Sequence, residues 1–245
     1  MDSRKVTPTP LTKQKGRVYP QDFINKVICG DCLEVMKQIP DKCVDLLLTD
    51  PPYEQDNHGG GKSDFAQRKL VKEKHINFIS KGFDYEQFFP EIERVCRIVN
   101  LLIFCSNKQI SKTMIYWEQK GYSTTLLVWK KPNAIPFGNG KYYSDTEYIV
   151  YVRGDNVPFT TGKSKVFNVN YPSKRLHPTQ KPEILIKKLI EIHSIENGII
   201  LDPFLGSGTT AVACKELGRN FIGIEISPEY CKIAEQRLQQ EVLPL

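Results

Sequence analysis

From Lys26 onward, apolar and β-branched residues gather in short runs, and between the runs they recur at the three-and-four spacing of one helix face. The runs are Lys26 to Cys29, Val44 to Thr49, Leu101 to Cys105, Thr124 to Trp129, Tyr148 to Val152, Gly198 to Leu201 and Phe221 to Glu225. Helical patterns cover Leu33 to Gln38, Tyr85 to Val99, Lys108 to Lys120, Pro182 to Ile192, Thr209 to Leu217 and Pro228 to Gln240. Strands alternating with helices predict an α/β fold. The last helix has a complete start signal: Ser227 is placed to cap it, Pro228 suits the first helical position, and Glu229 favours the positive end of the dipole.

Three segments break the rhythm. Residues 1–21 are polar, Lys-rich and carry two Thr-Pro steps, which predicts a flexible basic tail ahead of one domain spanning 22–245. Residues 54–82 hold three consecutive glycines, and an insertion at about 131–176 is rich in Gly, Asn and Lys. Both read as loops, where function concentrates.

A chain of 245 residues that is 40% hydrophobic can bury one substantial core, which fits a single domain with insertions. Its net charge of +6 suits a polyanionic partner. The chain has no apolar run of membrane-spanning length and its N-terminus does not resemble a signal peptide, so a soluble, cytoplasmic protein is expected. Seven cysteines, odd in number and mostly set within apolar stretches, suit reduced thiols rather than disulfides. The pair Cys29-x-x-Cys32 lacks a second Cys or His pair at finger spacing, so no metal is expected.

Two motifs carry chemistry. In the first, the strand ending at Asp202 runs through Pro203-Phe204-Leu205-Gly206-Ser207-Gly208 into a helix starting at Thr209. The glycines remove side chains that would block a ligand, and the carboxyl end of a strand is where open α/β sheets bind one. Glu225, seventeen residues after Gly208, is placed to accept ribose hydroxyls. A phosphate loop is excluded because no Lys follows the glycines. A dinucleotide fingerprint fits formally through Gly206, Gly208 and Ala211, but only twenty residues follow Glu225. A turn serving only strand-to-helix packing is the remaining alternative.

In the second motif, an apolar strand stops at Asp50-Pro51-Pro52-Tyr53. The prolines forbid continuing the strand. They hold the Asp50 carboxylate and the Pro51 carbonyl beside a rigid turn, next to an aromatic ring. An amine offers two donors for those acceptors, and Tyr53 can stack on a base taken out of its helix. An ordinary turn with an edge tyrosine is the alternative for the string taken alone.

Asp-Pro-Pro-Tyr followed later by Asp-Pro-Phe-x-Gly-x-Gly resembles the β group of DNA amino-methyltransferases, in which the catalytic motif precedes the cofactor motif. The resemblance runs from Val27 onward and includes Gly30-Asp31-Cys32 and His177-Pro178-Thr179-Gln180-Lys181-Pro182. It implies a single Rossmann-like methyltransferase fold with a mostly parallel seven-stranded sheet, one strand antiparallel, and a circularly permuted motif order. The last helix would then be followed in space by Val27 to Cys29. Asp31, Asp202, Glu225 and Asp50 would share one sheet edge.

The resemblance implies S-adenosylmethionine as cofactor. Asp31 would accept from its adenine amine, with Cys32 alongside. His177, Thr179 and Lys181 would belong to the loop and helix start that close over it, and Asp202, Pro203, Phe204, Gly206, Ser207, Gly208, Thr209, Glu225 and Ile226 would form its bed. The substrate would be double-stranded DNA, with the target base flipped out and methylated by direct in-line transfer. Adenine N6 is favoured over cytosine N4 because N4 relatives more often carry Ser where this chain has Asp50. Cytosine C5 chemistry is disfavoured, since the chain has no Pro-Cys step to supply a nucleophile. A DNA-binding module that keeps an inactive methyltransferase fold and a dehydrogenase are the competing classes.

Phosphate-contact candidates are Lys62, Arg68, Lys69, Lys72, Lys74, Lys130, Lys131, Lys141, Lys163, Lys165, Lys174 and Arg175, taken as rims of the cleft because they follow the Asp50 and Trp129 strands. The resemblance also brings a homodimer and a companion restriction endonuclease into view as partners to test for.

Overall fold

The computed structural model describes residues 17–53, 85–134, 142–158, 162–172 and 180–240. Eight strands form one sheet: β1 (Lys26–Cys29), β2 (Leu46–Thr49), β3 (Asn100–Cys105), β4 (Ser123–Lys130), β5 (Thr146–Arg153), β6 (Val166–Asn168), β7 (Ile199–Asp202) and β8 (Asn220–Glu225). Their order is β1-β8-β7-β2-β3-β5-β4-β6. Every adjacent pair is parallel except the two made by β5, which runs against both β3 and β4.

All seven predicted strands are present, and β5 is the one antiparallel strand. The eighth, β6, corrects the expected count. It lies within the 131–176 insertion, which therefore supplies sheet as well as loop. Three residues of which only Phe167 is buried leave too short an apolar pattern to read as a strand; pairing to Val128, Trp129 and Lys130 makes it one.

The helices are α1 (Cys32–Met36), α2 (Tyr85–Val95), α3 (Asn107–Gln119), α4 (Glu183–His193), α5 (Thr209–Glu216) and α6 (Pro228–Gln239). The first three cover one face of the sheet, where Met36, Phe88, Phe89, Ile92 and Trp117 pack on β-strand residues such as Leu47, Ile103 and Ile222. The other three cover the opposite face, with Leu185, Leu189, Ala211 and Ala234 against Leu46, Leu102 and Ile200. Burial on both faces explains why β2 and β3 read as unbroken apolar runs.

Permutation closes as expected: β1 pairs in parallel with β8, joining Val27 to Gly223 and Cys29 to Glu225. Two local expectations change. Ser227 stands at the N-cap of α6 without a side-chain cap hydrogen bond; Pro228 occupies the first turn, and the Glu225 carboxylate takes the Ser227 N–H at 2.8 Å. The expected tail is also shorter at its inner end. Val18 N–H bonds to Asp22, and Tyr19 packs on the core beside the buried Phe23, while residues 1–16 and the loop 54–82 lie outside the described residues. Among the described residues, all seven cysteines are free thiols, and no helix is long and apolar enough to cross a membrane.

Candidate active site

Because β1, β8, β7 and β2 are mutually parallel neighbours, their carboxyl ends meet at one sheet edge. That places Asp31 just past β1, Glu225 at the end of β8, Asp202 at the end of β7 and Asp50 just past β2. Four carboxylates separated by up to 194 positions in the chain thus line one edge.

Three of these carboxylates, Asp31, Glu225 and Asp202, are already committed to backbone. Asp31 caps α1 by accepting the N–H groups of Leu33 and Glu34 through Oδ1. Glu225 accepts the Gly206 N–H at 2.8 Å through Oε2 and the Ser227 N–H through Oε1, which fixes the plane of its carboxylate. Asp202 is buried and holds the turn that follows it, accepting the Phe204 N–H at 3.1 Å and the Thr210 hydroxyl at 2.6 Å. It also accepts the Thr49 hydroxyl at 3.1 Å, which ties β7 to β2. Burial pushes its carboxyl up to about 7.

The two glycines of the turn have different tasks. At Gly208, φ is +86°, and a Cβ there would sit 2.8 Å from the Ala234 Cβ, so this glycine admits α6 rather than a ligand. Gly206 also has a positive φ, +56°, but its missing side chain faces open space. Ser207 and Thr209 are buried, and Arg237 of α6 donates to the Ser207 carbonyl at 2.7 Å and to the Thr209 hydroxyl at 3.3 Å. Pro203 is buried, Phe204 packs against Phe88, Cys32 is buried, and Ile226 is exposed.

The turn from Asp50 to Tyr53 is built from β2 outward. Its Pro52 carbonyl accepts from Gln109 Nε2 at 3.1 Å; the fully buried Gln109 side chain also takes the Ser106 N–H and touches the Tyr85 hydroxyl. Beyond the turn lies Lys181. Its ammonium is 2.8 Å from Asp50 Oδ2 and 2.8 Å from Glu147 Oε2, and donates to the Tyr53 hydroxyl at 3.3 Å. The same Nζ stands 4.7 Å from the centre of the Phe104 ring and 5.3 Å from that of Tyr53.

The other Asp50 oxygen, Oδ1, is sealed from solvent and has no hydrogen-bond partner among the described residues. Burial raises the Asp50 carboxyl above the ordinary aspartate range, opposed by the Lys181 charge. Burial by itself would lower Lys181, but Asp50 and Glu147 hold its ammonium above the usual range. Burial likewise opposes ionisation of Glu147, and Lys181 and Lys131 overcome it, so its carboxyl lies below the ordinary value.

A model of the DNA methylase family matches residues 44–236, a stretch that holds both motifs. The chain belongs to that family of N6/N4 DNA methyltransferases. The methylase is 31% identical to the putative methylase YubD of Escherichia coli K12, over 88% of this chain and 90% of the relative. It is 28% identical to the type II methyltransferase M.HinfI of Haemophilus influenzae, over 89% of this chain and 69% of that one. Among solved structures, M1.HpyAVI in complex with SAM superposes with a TM-score of 0.63 at 31% identity, covering 86% of this chain and 98% of that one. The family match supports the β-group resemblance drawn from the order of the two motifs.

Several sequence expectations fall differently in space. Lys181, expected in the loop and helix start over the cofactor, has its ammonium on Asp50 and Glu147. Lys131, expected on phosphate, is buried: it pairs with Glu147 Oε1 at 2.8 Å and lies over the Trp129 and Tyr171 rings. Lys163 and Lys165 are exposed, but they line a pocket of about 440 Å³ with Ser123 and Arg153, toward the sheet edge opposite Asp50. Lys130 is exposed at the carboxyl end of β4, on the Asp50 side. His177, Thr179, Lys62, Arg68, Lys69, Lys72, Lys74, Lys141, Lys174 and Arg175 lie outside the described residues.

Sequence reasoning passed over Glu147 and Gln109. Glu147 sits near the start of a strand whose next six residues, Tyr148 to Arg153, are apolar or aromatic up to the final Arg, and a carboxylate ahead of Tyr-Ile-Val-Tyr-Val was the available signal. Gln109 reads as an ordinary surface position of a helix; only its position at the start of α3, facing the Pro52 carbonyl, gives it work.

Proposed function

We propose that the methylase transfers a methyl group from S-adenosylmethionine to the N6 amine of an adenine flipped out of double-stranded DNA. When bound, S-adenosylmethionine supplies a methyl already activated on a sulfonium, so the protein's task is alignment and charge stabilisation. The residues at the edge fit such a group. Gly206 leaves open space, Glu225 presents a carboxylate of fixed orientation for ribose hydroxyls, Asp31 keeps an oxygen outside its cap for an amine, and Ile226 offers exposed apolar surface.

The observation that carries the reading is Asp50 Oδ1, a sealed acceptor with no partner among the described residues, at the edge that holds the cofactor turn. An amine N–H of the flipped base donates to it, and the second N–H donates to the Pro51 carbonyl. These bonds turn the nitrogen lone pair out of conjugation with the ring. The carboxylate would then stabilise the positive charge that grows on nitrogen as the methyl exchanges its bond to sulfur for one to nitrogen, and the surplus amine proton would leave along its hydrogen bond to Asp50. Tyr53 offers its ring to the base as a stacking platform.

Lys130 is suited to phosphate contact from the same edge. The test is transfer of labelled methyl to unmethylated duplex DNA followed by nucleoside digestion and mass analysis. N6-methyladenine is the expected product. N4-methylcytosine would replace the base and keep the mechanism, and absence of transfer by a protein that binds the cofactor would overturn the reading.

A further inference from the structure

The catalytic turn is held by a chain of four alternating charges. Lys131 pairs with Glu147 Oε1, Glu147 Oε2 pairs with Lys181, and Lys181 pairs with Asp50 Oδ2, each at 2.8 Å. Two ammonium groups and two carboxylates balance, which is what lets this many charges sit in a mostly buried place. The chain crosses the sheet. Asp50 follows β2, Glu147 lies on β5, Lys131 follows β4, and Lys181 precedes α4 and spans the Phe104 ring of the intervening β3.

An ammonium has three donors, and Lys181 directs them at Asp50, Glu147 and the Tyr53 hydroxyl. It therefore touches the amine acceptor and the stacking ring of the proposed site at once, and it is anchored to β5, a different strand from the one they follow. By pairing with Oδ2 it leaves Oδ1 as the carboxylate oxygen without a partner among the described residues.

We propose that Lys181, anchored by Glu147, is a positioning residue for methyl transfer: it sets the orientation of the Asp50 carboxylate and of Tyr53, and keeps Asp50 ionised as the acceptor for the amine. This rests on the function proposed above. Glu147 in turn needs Lys131, because a carboxylate shared by two ammoniums stays charged and stays in place. The groups facing Asp50 are Lys181 from the α4 approach, Glu147 from β5, Asp202 from β7, Cys105 from β3 and Tyr53 from its own turn. Among the described residues that face it only Lys181 is cationic, so its charge opposes the burial that raises Asp50.

The experiment compares the full-length wild-type chain with Lys181→Met, Glu147→Gln and the double variant Lys131→Met/Glu147→Gln. Three readouts are taken: the ¹³C carboxyl titration of Asp50, assigned with Asp50→Asn; S-adenosylmethionine affinity by calorimetry; and single-turnover methyl transfer to duplex DNA between pH 6 and 9. In Lys181→Met, Asp50 is expected to titrate at least one pH unit higher, roughly the effect of losing one close opposite charge. Cofactor affinity should stay within about threefold, and transfer at pH 7 should fall roughly 10²-fold, with part of the loss recovered at pH 9.

Glu147→Gln should lose on the order of tenfold in rate at unchanged cofactor affinity. The double variant should regain most of that loss, because the Gln oxygen can accept from Lys181 and no second ammonium is left unpaired. An unmoved Asp50 titration in Lys181→Met overturns the inference, as does loss of cofactor binding with that titration unmoved, which would assign Lys181 to the cofactor. If the wild type methylates no DNA, the proposed function fails while the carboxyl titration still decides the role of Lys181. Should Lys181→Met not fold, Lys181→Gln is titrated in its place.

Discussion

The Thr49 hydroxyl donates to the Asp202 carboxylate at 3.1 Å, so the last residue of β2 is fastened to the last residue of β7. One buried side chain thereby sets the spacing between the turn that carries Asp50 and the turn that carries Gly206.

Asp202 gives this contact a pH dependence. Folded, it holds a proton up to about 7, while an unfolded aspartate releases it near its ordinary value of 3.8. Between those values the folded state binds more protons, so this group's contribution to stability falls as pH rises through the window and levels above about 7, the reverse of a salt-bridged aspartate. The contribution is at most about 4 kcal/mol. Asp202→Asn should flatten the difference in melting temperature between pH 5 and pH 8; a slope equal to that of the wild type would count against the raised carboxyl.

Replacing Asp50 by Ala removes the acceptor proposed for the substrate amine. Methyl transfer should fall on the order of 10²- to 10³-fold with cofactor affinity retained, as for loss of one preorganised electrostatic contact. In the wild type the acid limb of the rate profile should lie above the pH of an ordinary aspartate, because burial raises Asp50 and protonation removes its acceptor. Normal turnover by Asp50→Ala would remove it from the mechanism.

The two glycines of the cofactor turn should separate cleanly. Gly208→Ala puts a Cβ 2.8 Å from Ala234 in a left-handed conformation and should destabilise by about 2–4 kcal/mol. Gly206→Ala meets open space, so its stability cost is only the backbone strain of about 1 kcal/mol, and its larger effect should be on S-adenosylmethionine affinity. Denaturant titration and calorimetry on both variants distinguish the two; equal effects of the two substitutions would refute this division.

Gln109→Leu leaves the Pro52 carbonyl and the Ser106 N–H without their side-chain partner. The expected stability loss is about 1–3 kcal/mol. Transfer should slow while cofactor binding persists, since the Pro52 carbonyl anchors the catalytic turn and not the cofactor turn. A variant with lowered stability but an unchanged single-turnover rate would make Gln109 purely structural.

The closure of β1 on β8 was implied by the family resemblance; the pattern along the chain by itself determined the order of the helices and of every strand but β6, and the four carboxylates at strand ends. Those features depend on local periodicity and on where an apolar run stops, and both are written along the chain. Both motifs were legible for the same reason: Asp50 to Tyr53 and Asp202 to Gly208 are contiguous. Partners brought together across the sheet were not legible. Lys181 looked like part of a cofactor loop and Lys131 like a phosphate contact, because a lysine's sequence neighbours do not reveal which carboxylate its long side chain reaches. Tertiary structure decided that both converge on Glu147, a residue 34 positions from Lys181 and half-buried in a strand, since a charge taken out of water must find its counter-charge wherever the fold brings one within about 3 Å.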